Sequence, residues 1–403
     1  MIWALGCTRS PKEMDSPQRL GAWSAIDLHV HSSVGSNDTD GLSSIDEIAS
    51  VAIERGLSMV VITDHSNSAG SMDCGSGDVE DCPNQGPEFP ALAEVRDSYE
   101  GRLELAVGVE ISPVASLEIT SEPTGHIGCI PPSLHGFQVV MDPVIDRPVG
   151  TIPGSEGIEW CNEKGGFSVV NHPFTLAGWL NYDWSSMNYD AIEVFNGGAR
   201  FDSGDWDSVQ SWACDISSGK NVVAVGGSDT HRAQTPTPPD GPLDQAMGFP
   251  TTWVWRANDS DESLLDALRH GRTVVADPRT RLDVWAQKEN MIAGPGERIV
   301  EEGGEVSLHV EVEVEHAGLK VEIVDLFTGA CTEDNRSFQQ DRPMVEPTVL
   351  HAEPLVPGAP VSRQYDMAVD DVERIVVWVR PIEPITIGHD GFAISSPIFI
   401  GNP

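Results

Sequence analysis

The sequence predicts an α/β barrel of seven parallel strands with crossover helices, followed by a small all-β domain of sandwich type. Three observations carry this. Up to about residue 280 the apolar runs are short, β-branched and nearly continuous, the pattern of strands covered on both faces. Beyond that point the runs alternate or turn β-rich between turn signals, the pattern of half-buried strands. The residues able to bind a metal gather where the strands of the first part end. The 403 residues suit two domains rather than one. We expect a stub and linker over 1–23, the barrel over 24–280 and the β-rich domain over 281–403.

Taken in order, strands are expected near 25–29 (AIDLH), 58–63 (SMVVIT), 103–110 (LELAVGVE), either 126–130 (HIGCI) or 136–141 (GFQVVM), 167–171 (FSVVN), 190–195 (DAIEVF) and 221–226 (NVVAVG). "SSIDEIASVAIERGL" reads as a helix. Ser44 and Glu47 form a capping box, Ile45, Ile48, Ala49 and Ala52 share one apolar face, and Gly56 ends it. "FPALAEVRDSYEG" and "DWDSVQSWACDISSGK" read as further helices. "GFPTTWVWRANDSDESLLDALRHGRTVVAD" reads as strand, helix and strand, the helix capped by Ser260 and stopped at Gly271. The segments "EVSLHVEVEVEH", "LKVEIVDLF", "DDVERIVVWVRPI" and "GFAISSPIFIGNP" make the second domain.

The chain carries 63 acidic against 24 basic residues, a net charge of −39. That argues against nucleic-acid or anionic-membrane binding through a basic face. The acidic residues are spread through the chain, which reads as an adaptation for solubility or salt rather than a tail. No window has the long apolar run of a membrane helix. Seven cysteines without a CxxC pair argue against a zinc ribbon. Cys74 and Cys82 share one loop and either pair in an oxidising compartment or stay as free thiols. "MIWALGCTRSPKEMDSPQ" is an apolar stub, Gly6-Cys7 and a polar linker, like the tail of a bacterial lipoprotein signal. The stub is too short for a whole signal and lacks a basic start, which a start placed too far downstream would explain. The expectation is export to the periplasm or cell surface with a lipid anchor at Cys7, a cytoplasmic location remaining open.

In "AIDLHVHSSVGSNDTDG", His29 and His31 lie two apart at a strand end, so they share a face. Asp38 and Asp40 follow. Imidazole and carboxylate together suit zinc, manganese and iron. Further along, Asp64 and His65 end the second strand, Glu110 the third, His126 lies near the fourth, His172 follows the fifth, and Asp229 and His231 follow the seventh. In a parallel barrel those ends converge on one rim, where active sites sit. Six segments doing so together point to a metal site. His309, His316, His351 and His389 fall in the β-rich part or its approach, His270 at a helix end and His135 in a loop. None of these is expected to be a ligand.

These motifs resemble the PHP family, named for polymerase and histidinol phosphatase. The matching parts are the HxH of His29 and His31, Asp40-Gly41, the "ITDH" ending in His65, the "GVE" ending in Glu110, the later single histidines, and the "SDTH" of Asp229 and His231. The resemblance covers residues 24 to 280. "GGSDTH", "PTTWVW", "HGRT" and the closing "SSPIFIGNP" are similar to the CehA/McbA-type metallohydrolase branch. It implies a distorted seven-stranded barrel holding two or three divalent metals. His29, His31, Glu110 and Asp229 would hold one. Glu110 would bridge to a second, held by His126 and His172. Asp40, His65 and His231 would hold a third. "SNDTDG" is longer than the usual "SDG" spacing, so Asp38 is an alternative to Asp40, and if neither reaches, the site is dinuclear.

Two metals about 3.5–4 Å apart share a hydroxide and make it a nucleophile at neutral pH. They also neutralise charge on a phosphoryl or carbonyl oxygen. The expected function is therefore a phosphoesterase acting on a small phosphate ester. The alternatives are a carbamate or carboxylic-ester metallohydrolase, and an exported binding protein whose metal barrel is a scaffold. Three catalytic candidates follow. Asp64 would orient a ligand histidine or move a proton. Arg232 would bind phosphate or make a surface salt bridge. Arg200 comes from the active rim. Trp179, Tyr182 and Trp184 would wall the site or pack against the second domain.

Overall fold

The computed structural model describes residues 21–36, 39, 41, 43–66, 95, 98–111, 125–133, 153–174, 188–197, 200–237, 245–256, 264–300, 303–326, 347–369, 372–383 and 390–401. Several sequence expectations lie outside them: Cys7, Asp38, Asp40, Cys74, Cys82, His135, the run 136–141, Trp179, Tyr182, Trp184, Ser260, His389 and most of the helix expected over 89–101.

Twenty strands and four helices are present among the described residues. The first eight strands are β1 (Ala22–Val30), β2 (Met59–Ile62), β3 (Glu104–Val107), β4 (Val109–Ile111), β5 (Ile127–Ile130), β6 (Phe167–Val170), β7 (Ala191–Asn196) and β8 (Val223–Gly227). β2, β5, β6, β7 and β8 are buried at every residue, as continuous apolar runs require. Helix α1 (Ile45–Glu54) has the expected capping box. Ser44 Oγ accepts from the Glu47 amide, and Glu47 Oε2 accepts from the Ser44 amide. α2 (Gly154–Glu163) was hidden in the sequence by the two glycines of its first turn. α3 (Ser203–Ser217) is capped by Asp202 with Asp205 as its box partner, and the short α4 spans Leu264–Arg269.

Strands β9 (Thr251–Arg256), β10 (Thr273–Ala276), β11 (Thr280–Lys288), β12 (Met291–Ala293), β13 (Arg298–Ile299), β14 (Glu305–Val314), β15 (Leu319–Asp325), β16 (Thr348–Pro354), β17 (Val361–Ala368), β18 (Arg374–Pro381), β19 (Ala393–Ser395) and β20 (Ile398–Ile400) follow. One large sheet runs β13-β20-β18-β19-β10-β9-β1-β2-β3, with β15 and β16 joined to it through β18. A second sheet runs β4-β5-β6-β7-β8, and a third β12-β11-β14-β17. The third sheet turns the apolar side of its alternating strands (Leu282, Val284, Leu308, Val310) onto Val321, Ile323, Val377 and Ile398 of the large sheet.

The strand pairing does not show the expected (β/α)7 barrel. β1, β2 and β3 pair in parallel, as do β6, β7 and β8, but β4/β5, β5/β6 and β1/β9 are antiparallel. The run read as one strand over 103–110 is two. It breaks at Gly108, where a Cβ would meet the Cys129 carbonyl at 2.8 Å. Its first half pairs with β2 and its second half with β5, so the chain changes sheets within one residue. Two isolated parallel bridges, Val30 to Thr230 and His65 to Glu110, join the two sheets where their strands end.

The sheet does not stop where the composition changes near residue 280. β10, inside the expected barrel domain, pairs along its length with β19 near the other end of the chain. Phe201 stacks on Phe392 at 3.7 Å, and Trp206 lies against Trp378. A chain cut after residue 280 would lose the β19 partner of Val274, Val275 and Ala276 and expose this aromatic seam. We expect residues 24–280 expressed alone to show no cooperative thermal transition and no near-UV circular dichroism. A sharp melt would show that the barrel part folds unaided.

Candidate metal centre

Period-two geometry puts His29 and His31 on one side of β1, with ring centroids 5.1 Å apart. His65 arrives three residues past β2, Glu110 in the middle of β4, His126 just before β5, His172 two residues past β6, and Asp229 and His231 just past β8. All eight meet in one cluster, and His29, His31, His65, Glu110 and His172 are buried. Side-chain exposure is 13% at Asp229, 16% at His126 and 24% at His231, so the cluster faces solvent on that side.

Glu110 is the hub. Its Oε1 lies 3.2 Å from His29 Nε2, 3.0 Å from His126 Nδ1 and 3.2 Å from His172 Nε2. Its Oε2 lies 2.8 Å from His65 Nδ1 and 3.7 Å from His31 Nε2. Asp229 Oδ1 lies 3.3 Å from His29 Nε2 and 3.2 Å from His31 Nε2, and those two nitrogens are 3.1 Å apart. The donor set fits metal ions. Bonds of about 2.0–2.1 Å place ligand atoms about 2.8–3.0 Å apart at right angles and about 3.3–3.4 Å apart in a tetrahedron. The contacts given above among the His29, His31 and Asp229 donors and Glu110 Oε1 lie between these two values or at the upper one. Four overlapping groups have donor atoms within 4.8 Å of one another: His29, His31 and Glu110; His29, His172 and Asp229; His65, Glu110 and His126; His31, His65 and His231.

The grouping differs from the set implied by the resemblance. His65, assigned to a third ion with His231, also reaches the bridging Glu110, and His31 joins His65 and His231. Asp40 lies outside the described residues. His270, His309, His316 and His351 belong to none of these groups. His309 stacks on Trp285 at 4.9 Å, and His270 Nδ1 lies 2.7 Å from the Asp266 carbonyl.

Buried polar residues hold the ligands. The Asp64 carbonyl accepts from the Glu110 amide at 3.0 Å, while its carboxylate is taken up by serines. It accepts from the Ser32 amide (2.6 Å), Ser32 Oγ (2.6 Å) and Ser36 Oγ (3.0 Å). Ser36 Oγ in turn lies 3.1 Å from His31 Nδ1 and accepts from the His65 amide. Asp64 therefore orients two ligands through Ser36. Asn171 Nδ2 donates to Glu110 at 2.9 Å. Gln245 Nε2 donates to Asp229 Oδ2, and Gln245 Oε1 lies 3.3 Å from His231 Nδ1. Asp27 accepts from the Ser228 and Gly248 amides, fixing the loop that carries Asp229. Glu193 lies 2.9 Å from His29 Nδ1. The sequence reading passed over Ser36, Asn171, Glu193 and Gln245. Only Glu193 left a signal there, a lone acid inside the apolar run AIEVF.

Of the other catalytic candidates, Arg200 is 51% exposed and pairs with Asp390 at 3.4 Å. Arg232 is exposed, one residue after His231.

The charges explain how this cluster is buried. Burial alone would raise the Glu110 carboxyl, but the imidazoles of His126, His29 and His65 outweigh it and hold it well below the usual range. Burial likewise opposes a charge on His29, but Asp229, Glu193 and Glu110 hold it well above its ordinary value. His31 goes the other way, pushed down to about 3 by burial and by its neighbours His231 and His65. Burial pushes Asp64 up to about 6 against its serine hydrogen bonds. Two of the three non-glycine residues with positive φ among the described residues are cluster members, His172 (26°) and Asp229 (52°). Strained backbone of this kind persists where surrounding contacts over-determine it.

No protein-family model and no curated protein matches the chain. Among solved structures it is similar to Endonuclease Q in complex with a 27-mer duplex carrying an abasic lesion. Identity is 16% and TM-score 0.38 over 62% of this chain and 56% of that one. It is also similar to a β-glucosidase from Erythrobacter marinus, with 12% identity and TM-score 0.15 over 84% of this chain and 46% of that one. The chain spans about half the length of these solved chains, and neither likeness is close enough to carry a fold or an activity. The site stands on its own chemistry: a buried histidine and carboxylate cluster that fits metal ions.

Replacing His29 by Ala removes the one imidazole common to two of the donor groups that contain Glu110 or Asp229. We expect that variant to lose bound metal by elemental mass spectrometry, with its circular dichroism retained. Metal content equal to wild type would overturn the ligand assignment.

Proposed function

We propose that the chain is a metal-dependent hydrolase acting on a small phosphate ester, with water as the nucleophile. The carrying observation is Glu110, a single buried carboxylate whose two oxygens are shared among His29, His65, His126 and His172. A carboxylate so placed suits bridging between ions. His29, His31, Glu110 and Asp229 would hold one ion and Glu110, His126 and His172 a second. A third would lie on His65 and His231. Imidazole and carboxylate donors suit zinc, manganese or iron.

Divalent ions held there supply an activated water and neutralise charge developing on a phosphoryl oxygen. The chain's own residues do the rest. Substrate approaches from the side of His126, Asp229 and His231, the more exposed members. Arg232, exposed beside His231, meets the anionic group there. Asp64, occupied by Ser32 and Ser36, keeps the ligand rings in register rather than touching substrate. A second reading, hydrolysis of a carbamate or carboxylic ester, is favoured by Arg200. Its ion pair with Asp390 takes one cation away from the rim.

The same purified sample, assayed for metal content and for turnover of a phosphate monoester, a phosphodiester and a carboxylic ester, separates these readings. Two or three ions per chain with phosphoester turnover is the expected result. Ester turnover alone would replace the first reading by the second.

An oxidising compartment also fits, as export would require. Cys129 and Cys161 form a disulfide between β5 and α2, and Cys214 is disulfide-bonded too. Intact mass of protein isolated from its native location should rise by about two hydrogens per bridge on reduction. No rise would mean free thiols and remove this support for export.

A further inference from the structure

Glu193 is a buried carboxylate against the cluster that the proposed chemistry does not use. It sits in β7, and its two oxygens divide their work. Oε1 lies 2.9 Å from His29 Nδ1. Oε2 accepts from the His172 amide at 2.8 Å and from Asn196 Nδ2 at 3.0 Å. His29 turns its other nitrogen, Nε2, to Glu110, Asp229 and His31. An imidazole that ligates through Nε2 must keep its one N–H on Nδ1, and a carboxylate on that side favours this tautomer. The amide held by Oε2 belongs to His172, whose φ of 26° is unfavourable without such an anchor.

The chain also makes room for this contact. A Cβ on Gly227, at the end of β8, would stand 2.5 Å from Glu193 Oε1 and 2.5 Å from the His29 Cβ. Glycine at 227 is what lets β7 bring its carboxylate against β1. Hence the doubled glycine before Ser228-Asp229 has a spatial reason independent of the loop it opens.

We propose that Glu193 is a positioning residue for the metal cluster. It fixes the tautomer of His29 and the strained backbone of His172, and so couples the ligands of two ions. This rests on the metal reading above. Glu193→Gln keeps the size but leaves one of the three donors without an acceptor. Gly227→Ala attacks the same contact from the other side.

The test compares wild type with both variants by zinc competition against a chromophoric chelator and by the visible spectrum of the cobalt-loaded protein. Melting of the metal-free forms serves as the folding control. We expect Glu193→Gln to bind zinc about 10–100-fold more weakly, with a shifted cobalt spectrum, while its metal-free form still melts cooperatively, at a lower temperature than wild type. Gly227→Ala should shift the spectrum in the same way where it folds. Wild-type affinity and an unshifted spectrum in Glu193→Gln would overturn this inference alone. A wild type that takes up neither zinc nor cobalt would instead overturn the metal reading on which it rests.

Discussion

The attraction between one buried carboxylate and the imidazoles around it is the interaction on which the rest of this structure depends. Glu110 is fully buried, where an isolated carboxylate would be intolerable. It is tolerated because positive and negative groups alternate about it. Histidines touch both its oxygens, Asp229 shares the Nε2 of His29 with it, Glu193 stands behind that ring, and Asn171 supplies a neutral donor. No pair in this set can be judged alone, since each charge is compensated by several neighbours.

The geometry that assembles it is ordinary β-structure with a few local exceptions. Strand ends deliver most of the ligands. Gly108 lets one run serve two sheets, and Gly227 lets two strands come close enough for a carboxylate to reach an imidazole across them. His172 and Asp229 accept backbone conformations that a free chain would avoid; the His172 amide donates to Glu193, and Gln245 donates to the Asp229 carboxylate.

Much of the site was legible in the sequence, because metal-competent residues are scarce and their position at the ends of apolar runs is a strong signal. His29, His31, His65, Glu110, His126, His172, Asp229 and His231 all come together. Their supports were not legible. Ser36, Asn171 and Gln245 are common polar residues whose role exists only once the fold brings them to a ligand. Arg200 shows the opposite error. It follows a strand end, yet its partner is Asp390, far along the chain. In the fold, the individual strands and α1 could be read from period and caps, but their pairing could not. Continuous apolar runs say that both faces are covered, not in which direction the neighbour runs, so the antiparallel β5 passed as one more parallel strand. The composition change near 280 likewise reports a change in exposure, while hydrogen bonding between β10 and β19 carries on across it.

The switch of sheets at Gly108 has a mechanical meaning. His29, His31 and His65 belong to the large sheet or its strand ends, whereas Glu110, His126, His172, Asp229 and His231 belong to the five-stranded one. Among the described residues, two isolated bridges pair the backbones of the two sheets, and one of them joins His65 to Glu110 themselves. The cluster therefore lies across a seam, and its ligands are also the stitches. A cation held there would pin the two sheets at their strand ends, while the apolar core they share keeps them packed when the site is empty.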